Sequence, residues 1–313
     1  LSYFGLYLDY LYPKGGTGVL AQTVSDYIRR TGGEILTNTA VTRVDTLQKQ
    51  LHTAGGDTYR YKKLVWAADQ KSLYSAVGEM HTPQVDNQRN LAEKGQGSDS
   101  ILSLFMGINL DKNYFEDSCG AHAFYTPSTI GLSSLTNWNK AIGSEEGLYE
   151  WIGRYLERTT YEISCPALRD ASLAPEGKTG VIVSTLMDYH LVRHLSDKVS
   201  YEQFKEFCTR KIIEVLEASV FPGITEKVEF ALCATPLTVE RETGNAHGAI
   251  TGWSFTNDKL PAESRFRKIT NSIKTPIEDV YQCGQWTFSP SGLPVSILTG
   301  KLAADAIRKT QKE

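Results

Sequence analysis

The stretch from Val280 to Lys309 constrains the fold more than any other part of the chain. It reads as a short apolar strand, Val280–Cys283, a loop holding Gly284, Ser291 and Gly292, and a helix from about Leu293 to Lys309. Pro294 suits the first turn of that helix, where its missing N–H costs nothing. Ser296, Gly300, Ala303 and Ala304 form a small-residue stripe that lets the helix lie close to a sheet or a ligand. A strand that ends in a glycine loop and opens into a helix presents backbone N–H groups and a positive dipole end. Such an end stabilises negative charge on a planar cofactor, for example at N1–C2=O of a reduced flavin. A plain strand-to-helix connection is the alternative.

The beginning has the same style. Gly18–Arg30 carries Leu20, Val24, Tyr27 and Ile28 at helical spacing, Arg29 and Arg30 suit its negative end, and Gly32 and Gly33 stop it. Short strands are expected at Glu34–Thr37, Ala40–Leu47, Gln50–Ala54 and Thr58–Tyr61, with a turn at Gly55–Gly56. Lys63–Ala68 is continuously apolar after its lysine, the pattern of a strand buried on both faces. The middle is less regular. Strands are expected near Ile101–Ile108, Ala121–Tyr125, Val181–Leu186 and Val228–Cys233, and helices over Glu145–Glu157 and Tyr201–Leu216. Glu79–Ser98 is polar and reads as a connecting loop. The expected fold class is α/β with mixed α+β character. Both ends belong to one discontinuous domain, 1–78 plus 273–313, and a mixed-sheet domain, 79–272, is inserted between them.

The chain has 313 residues, enough for two domains. Its 33 basic and 36 acidic residues give a net charge of −3, so no global basic field attracts nucleic acid. No apolar run reaches the roughly 18 residues of a membrane span. The first residues lack the basic region and cleavage site of a secretory leader. The chain starts at Leu1 rather than Met, so a processed or partial chain is expected. Cys119, Cys165, Cys208, Cys233 and Cys283 are widely spaced without a CxxC, which argues against a local zinc site and for a reduced, cytoplasmic setting.

Gly16-Thr17-Gly18-Val19-Leu20-Ala21 matches GxGxxA, the dinucleotide fingerprint, but Pro13 and Lys14 interrupt what should be its leading strand. A tight turn into an ordinary helix is the competing reading. His190 and His194 could share a helix face, but HxxxH without a third ligand assigns no metal. No GxSxG, Walker A or HExxH string occurs.

Five ordered segments resemble one family. YPKGGTGVLAQTVSDYIRRTGGEILTNTAVTRV, LVWAAD, Ala174-Pro175-Glu176-Gly177-Lys178, the run from Thr235 to Trp253, and VYQCGQWTFSPSGLPVSILTGKLAADAI look like successive parts of the phytoene desaturase and carotenoid isomerase-like flavoenzymes. These belong to the amine-oxidase-type FAD superfamily. The resemblance spans essentially the whole chain. It departs in two places. Members carry a GxGxxG unit upstream of the YP-GG segment, so this chain looks like a C-terminal part, expected to bind FAD weakly or not at all alone. Gln285 stands where many members have an acidic or small residue.

The resemblance implies several roles. Val41 would pair its backbone with the adenine, and Ala67 would lie beside the same end of FAD. Gly284 and Gln285 would approach the ribityl–pyrophosphate region. Ser291, Gly292, Leu293 and Pro294 would cap the flavin ring. Trp253, Phe255 and Trp286 are candidate substrate residues, noted for their nearness to the glycine-rich segments. The implied function is an FAD-dependent oxidoreductase, moving hydride between flavin and an apolar, polyene-like small molecule, with no catalytic side chain assigned. Peripheral membrane contact is an open expectation. Two other readings stand beside it: a non-catalytic module binding an apolar ligand or a partner, and an NAD(P)-dependent dehydrogenase using Gly16–Ala21.

Overall fold

The computed structural model describes residues 11–140, 144–198 and 201–310. The opening stretch read for a leader, 1–10, lies outside them. The chain forms two compact units, each drawn from two segments: Leu1–Ile35 with Ile101–Thr235, and Leu36–Ser100 with Pro236–Glu313. The cuts fall at 35, 100 and 235, where the sequence suggested 78 and 272. Residues up to 35 therefore group with the middle of the chain, and 79–100 and 236–272 group with its end.

In the first unit, α1 (Gly18–Arg30) forms as its periodicity predicts, but it buries no residue, and Leu20, Val24 and Tyr27 stand exposed. The rest is built on a five-stranded sheet. Its strands are β5 (Ser100–Ile108), β6 (His122–Tyr125), β7 (Tyr161–Ser164), β8 (Thr179–Met187) and β9 (Val228–Ala234), in spatial order β6-β7-β8-β5-β9. Residues alternate between its faces. One face is core: Leu102, Leu104, Met106 and Ile108 of β5, Ile163 of β7, and Val181 and Val183 of β8 are buried. Helix α7 (Tyr201–Glu217) packs on β9 and buries Phe204, Cys208, Ile212 and Leu216, one stripe at i, i+4 spacing. Helices α5 (Glu145–Leu156) and α6 (Tyr189–Lys198) pack on α7. Ser144 starts α5 by accepting the Gly147 N–H, with Glu145 and Glu146 in its first turn. The short α4 (Lys112–Ser118) links β5 to β6. The other sheet face exposes Phe105, Leu186, Phe230 and Leu232. Between them the Ser103 and Ser184 hydroxyls bond to each other at 2.8 Å.

In the second unit, β1 (Val41–Asp45), β2 (Gln50–Thr53) and β3 (Thr58–Arg60) form an antiparallel meander. No strand forms at Glu34–Thr37. β4 (Leu64–Trp66) pairs in parallel with β10 (Val280–Gln282), Leu64 opposite Val280 and Trp66 opposite Gln282. The expectation of a strand buried on both faces is corrected here. Among the described residues this is a two-stranded sheet, in which Trp66 is buried but Val65 is exposed.

α2 (Gln70–Ala76) follows β4, and Asp69 caps it by accepting the Lys71 N–H. The polar stretch read as a loop instead holds α3 (Pro83–Lys94). Thr82 accepts the Val85 N–H and Pro83 opens the first turn, signals that outweigh the low hydrophobicity. α8 (Pro236–Thr243), the short α9 (Ile269–Ser272) and α10 (Leu293–Thr310) complete the unit. Val44, Trp66, Leu73, Tyr74, Trp253, Val280 and Trp286 belong to its core cluster. No helix among the described residues is long and apolar enough to cross a membrane.

Candidate functional site

The site forms where β4 and β10 end side by side. The Cys283 N–H continues the pairing by donating to the Trp66 carbonyl at 3.0 Å. Gly284 then turns at φ +95°, and a Cβ there would point at the Ala67 carbonyl, 3.5 Å away. Its N–H donates to Thr299 Oγ1 at 3.0 Å. Thr299 is fully buried on α10, so the strand end is tied directly to the helix that follows.

The loop between them is fixed from behind. Gly252 comes so close that a Cβ on it would lie 2.2 Å from the Gln285 carbonyl oxygen. Trp286 is buried, and its indole N–H donates to Asn245 Oδ1 at 2.9 Å. Its carbonyl accepts the Trp253 indole N–H at 2.9 Å, and the two rings meet edge to face, centroids 4.8 Å apart. The Ser289 N–H donates to the Glu263 carbonyl, and the Ser289–Pro290 peptide is cis. Arg265 grips the Glu263 carboxylate and, with backbone N–H groups of 264 and 265, holds it down to about 2. Burial pushes the Cys283 thiol up, which makes it a poor nucleophile.

At the mouth of the loop, Ser291 Oγ is buried with no hydrogen-bond partner. Gly292 follows, with nothing closer than 4.0 Å to the place a Cβ would occupy. The helix begins at Leu293, which is exposed with Pro294. The Ser296 N–H is the first to find its i−4 carbonyl, that of Gly292. A buried oxygen without a partner, beside a helix N-terminus with free N–H groups, fits the polar edge of a planar ring.

Ala67, Gly284, Gln285, Trp286 and Trp253 are brought together. Ser291, Gly292, Leu293 and Pro294 sit at the helix start that Thr299 anchors. Val41 is half-buried on β1 against the same core cluster. Of the three substrate candidates, Trp253 and Trp286 are buried behind the loop. Phe255 is exposed and lines a separate cleft of 640 Å³ with Leu260, Pro261 and Gln282. Sequence reasoning missed Asn245, Thr299 and Asp69. The carboxylate of Asp69 reaches 177 positions along the chain to accept the Ala246 N–H at 2.6 Å. Its one visible signal was a capping-type residue placed between a strand and a helix.

At Gly16–Ala21 no strand precedes the turn among the described residues, and the Gly15 N–H is bound by the Asp170 carboxylate at 2.6 Å. His190 stands edge-on to Tyr189, and His194 lies against Trp138.

No family model matches the chain. It is 24% identical over 297 residues to a lycopene-forming phytoene desaturase of Pantoea ananas, covering 94% of this chain and 55% of that protein. It is 23% identical over 305 residues to a 4,4'-diapophytoene desaturase of Staphylococcus aureus, covering 95% and 56%. The chain thus spans about half the length of these curated relatives. Among solved structures it resembles a putrescine oxidase double mutant, with TM-score 0.56 and 12% identity over 94% of this chain and 53% of that one. It also resembles an oxidoreductase from Methanosarcina mazei, with TM-score 0.55 and 12% identity over 95% and 55%. Its mixed helix-and-sheet fold is shared with these oxidoreductases.

Proposed function

We propose that this chain, a relative of the phytoene and diapophytoene desaturases, carries the ring-binding end of an FAD-dependent oxidoreductase that acts on an apolar polyene. The observation that carries the reading is the partnerless, buried Ser291 Oγ at the start of α10, beside a loop that Gly284 opens and Trp286 backs. FAD, when bound, supplies the hydride acceptor; the protein orients, excludes water and tunes.

The chain's own residues divide that work. Gly284 leaves room for close approach between the ends of β4 and β10. Ser291 Oγ and the free N–H groups of Gly292 and Leu293 hold negative charge at the ring's polar edge. Thr299 sets the distance between strand and helix. Trp253 and Trp286, both buried, act as positioning residues, while Phe255, in its separate cleft, is given no part in the ring site. Val41 and Ala67 serve the adenine end. Hydride transfer requires no side-chain nucleophile, and none is assigned.

Riboflavin, which contains the ring and ribityl chain alone, is the test probe. Titration of the purified chain is expected to give weak but saturable quenching of riboflavin emission, because the contacts proposed here are to the ring end alone. Gly284→Val should weaken it at least about tenfold, because the side chain meets both a left-handed backbone and the Ala67 carbonyl. Absence of saturable quenching in the wild-type chain would refute the reading.

A further inference from the structure

Asp69 is a buried acid with no catalytic explanation. It sits at the end of the β4 segment, 3% exposed. Oδ1 accepts the Lys71 N–H at 2.6 Å and Oδ2 accepts the Ala246 N–H at 2.6 Å. The first of these is an ordinary helix cap. The second is not, since it clamps a turn distant in sequence. The residue before that clamp, Asn245, holds the Trp286 indole N–H, and the Trp286 carbonyl holds Trp253. Lys71 Nζ in turn lies 6.0 Å from the centre of the Trp253 ring. One hydrogen-bonded chain therefore runs from Asp69 through residues 245–246 to Trp286, inside the loop that precedes α10.

The geometry points to Asp69 as the positioning residue of the proposed ring-binding loop: its carboxylate fixes the 245–246 turn, and through Trp286 fixes Gly284–Gly292. A cap alone needs one oxygen; the second oxygen is committed to the loop. A neutral amide at 69 offers one acceptor and one N–H₂ group, so one of the two N–H partners is left facing a donor. The carboxylate is required in its ionised form. Burial pushes its pKa up, while the N–H groups of Ala246 and Lys71 oppose this. The charges facing it are Lys71 on its own helix and His247 on the clamped turn. Glu93 of α3 acts on Lys71, and Glu240 of α8 accepts the His247 N–H. Acidification into the raised range of Asp69 therefore loosens the loop.

This inference rests on the ring-binding reading for its ligand, but it can be tested without one. Hydrogen exchange of the full chain, followed peptide by peptide, is compared for wild type, Asp69→Asn, Asn245→Ala and Asn245→Asp. Asp69→Asn and Asn245→Ala are expected to speed exchange over 284–293 by about tenfold while leaving 101–108 unchanged. Asn245→Asp keeps the acceptor oxygen and is expected to stay near wild type. In wild type, the exchange of 284–293, corrected for intrinsic rates, rises on acidification through one ionisation, and Asp69→Asn removes that ionisation. Unchanged exchange over 284–293 in Asn245→Ala, or an identical pH profile in Asp69→Asn, overturns the inference. If Asp69→Asn does not fold, Asn245→Ala and the wild-type pH profile still decide it. Riboflavin titration of the same variants is read separately: failure of wild type to bind sinks the ring-binding reading and leaves the exchange result standing.

Discussion

Glu263 stays ionised to low pH because Arg265 and the N–H groups of 264 and 265 bond its carboxylate in the folded chain. Its depressed pKa, about 2, means that the folded state gains from the charge above the ordinary carboxylate range. That gain disappears as pH falls from the ordinary range through about 2. Glu263→Gln should therefore flatten the acid limb of the stability profile, with urea unfolding at pH 3 and pH 7 as the measurement.

Gly107 makes a second residue-scale case. A Cβ there would lie 2.2 Å from the Phe230 ring, so Gly107→Ala should lower stability by about 1–2 kcal/mol. Phe230→Ala in the same chain should recover part of it, read by thermal melting. Residues whose role is local were legible: Pro294 in a first turn, Gly284 in a turn. Asp69 and Asn245 were not, because their partners lie far along the chain, and no spacing rule reports such a pairing.

At the scale of elements, helices with a strong apolar stripe were plain. α7 and α5 declared themselves because they bury one face against a core. α3 did not, since it buries little beyond Val85 and Ala92 and its composition is polar. Its Thr82 cap and Pro83 were the local signals, which makes the cap testable: Thr82→Ala should cost about 1 kcal/mol, measured by chemical unfolding. β7 escaped because four residues carry too little alternation to stand out. β4 was over-read, since a continuous apolar run does not say how many neighbours a strand acquires. The 252–286 approach gives a sharper element-scale expectation. Gly252→Ala must push two backbones apart at a left-handed position, and should lower stability by about 2–3 kcal/mol. Gly292→Ala, with open space around it, should change stability far less.

At the scale of the whole molecule, the fold class was legible because the two ends carry strand-to-helix signatures and the middle carries short strands. The partition was less so: the helix at Gly18–Arg30 looked like part of the terminal domain, and it groups with the middle. Since that helix buries nothing, the first unit's sheet should not depend on it. Residues 101–235 expressed alone are expected to keep a single cooperative thermal transition by circular dichroism; a gradual loss of signal would refute this. The resemblance to flavoenzymes was legible from ordered motifs, whereas the loop's supporting network was visible only in three dimensions.

The parallel pairing of β4 with β10 joins residues more than two hundred positions apart. Contacts of such separation are slow to close, and a nascent chain on the ribosome cannot make them until Val280–Gln282 has emerged. A flavin held as proposed would therefore be captured only after translation has passed that point. Were the chain to hold a flavin as proposed, its loading would be a late event of biogenesis, and riboflavin supply would be expected to set how much newly made protein survives, as read by pulse-chase.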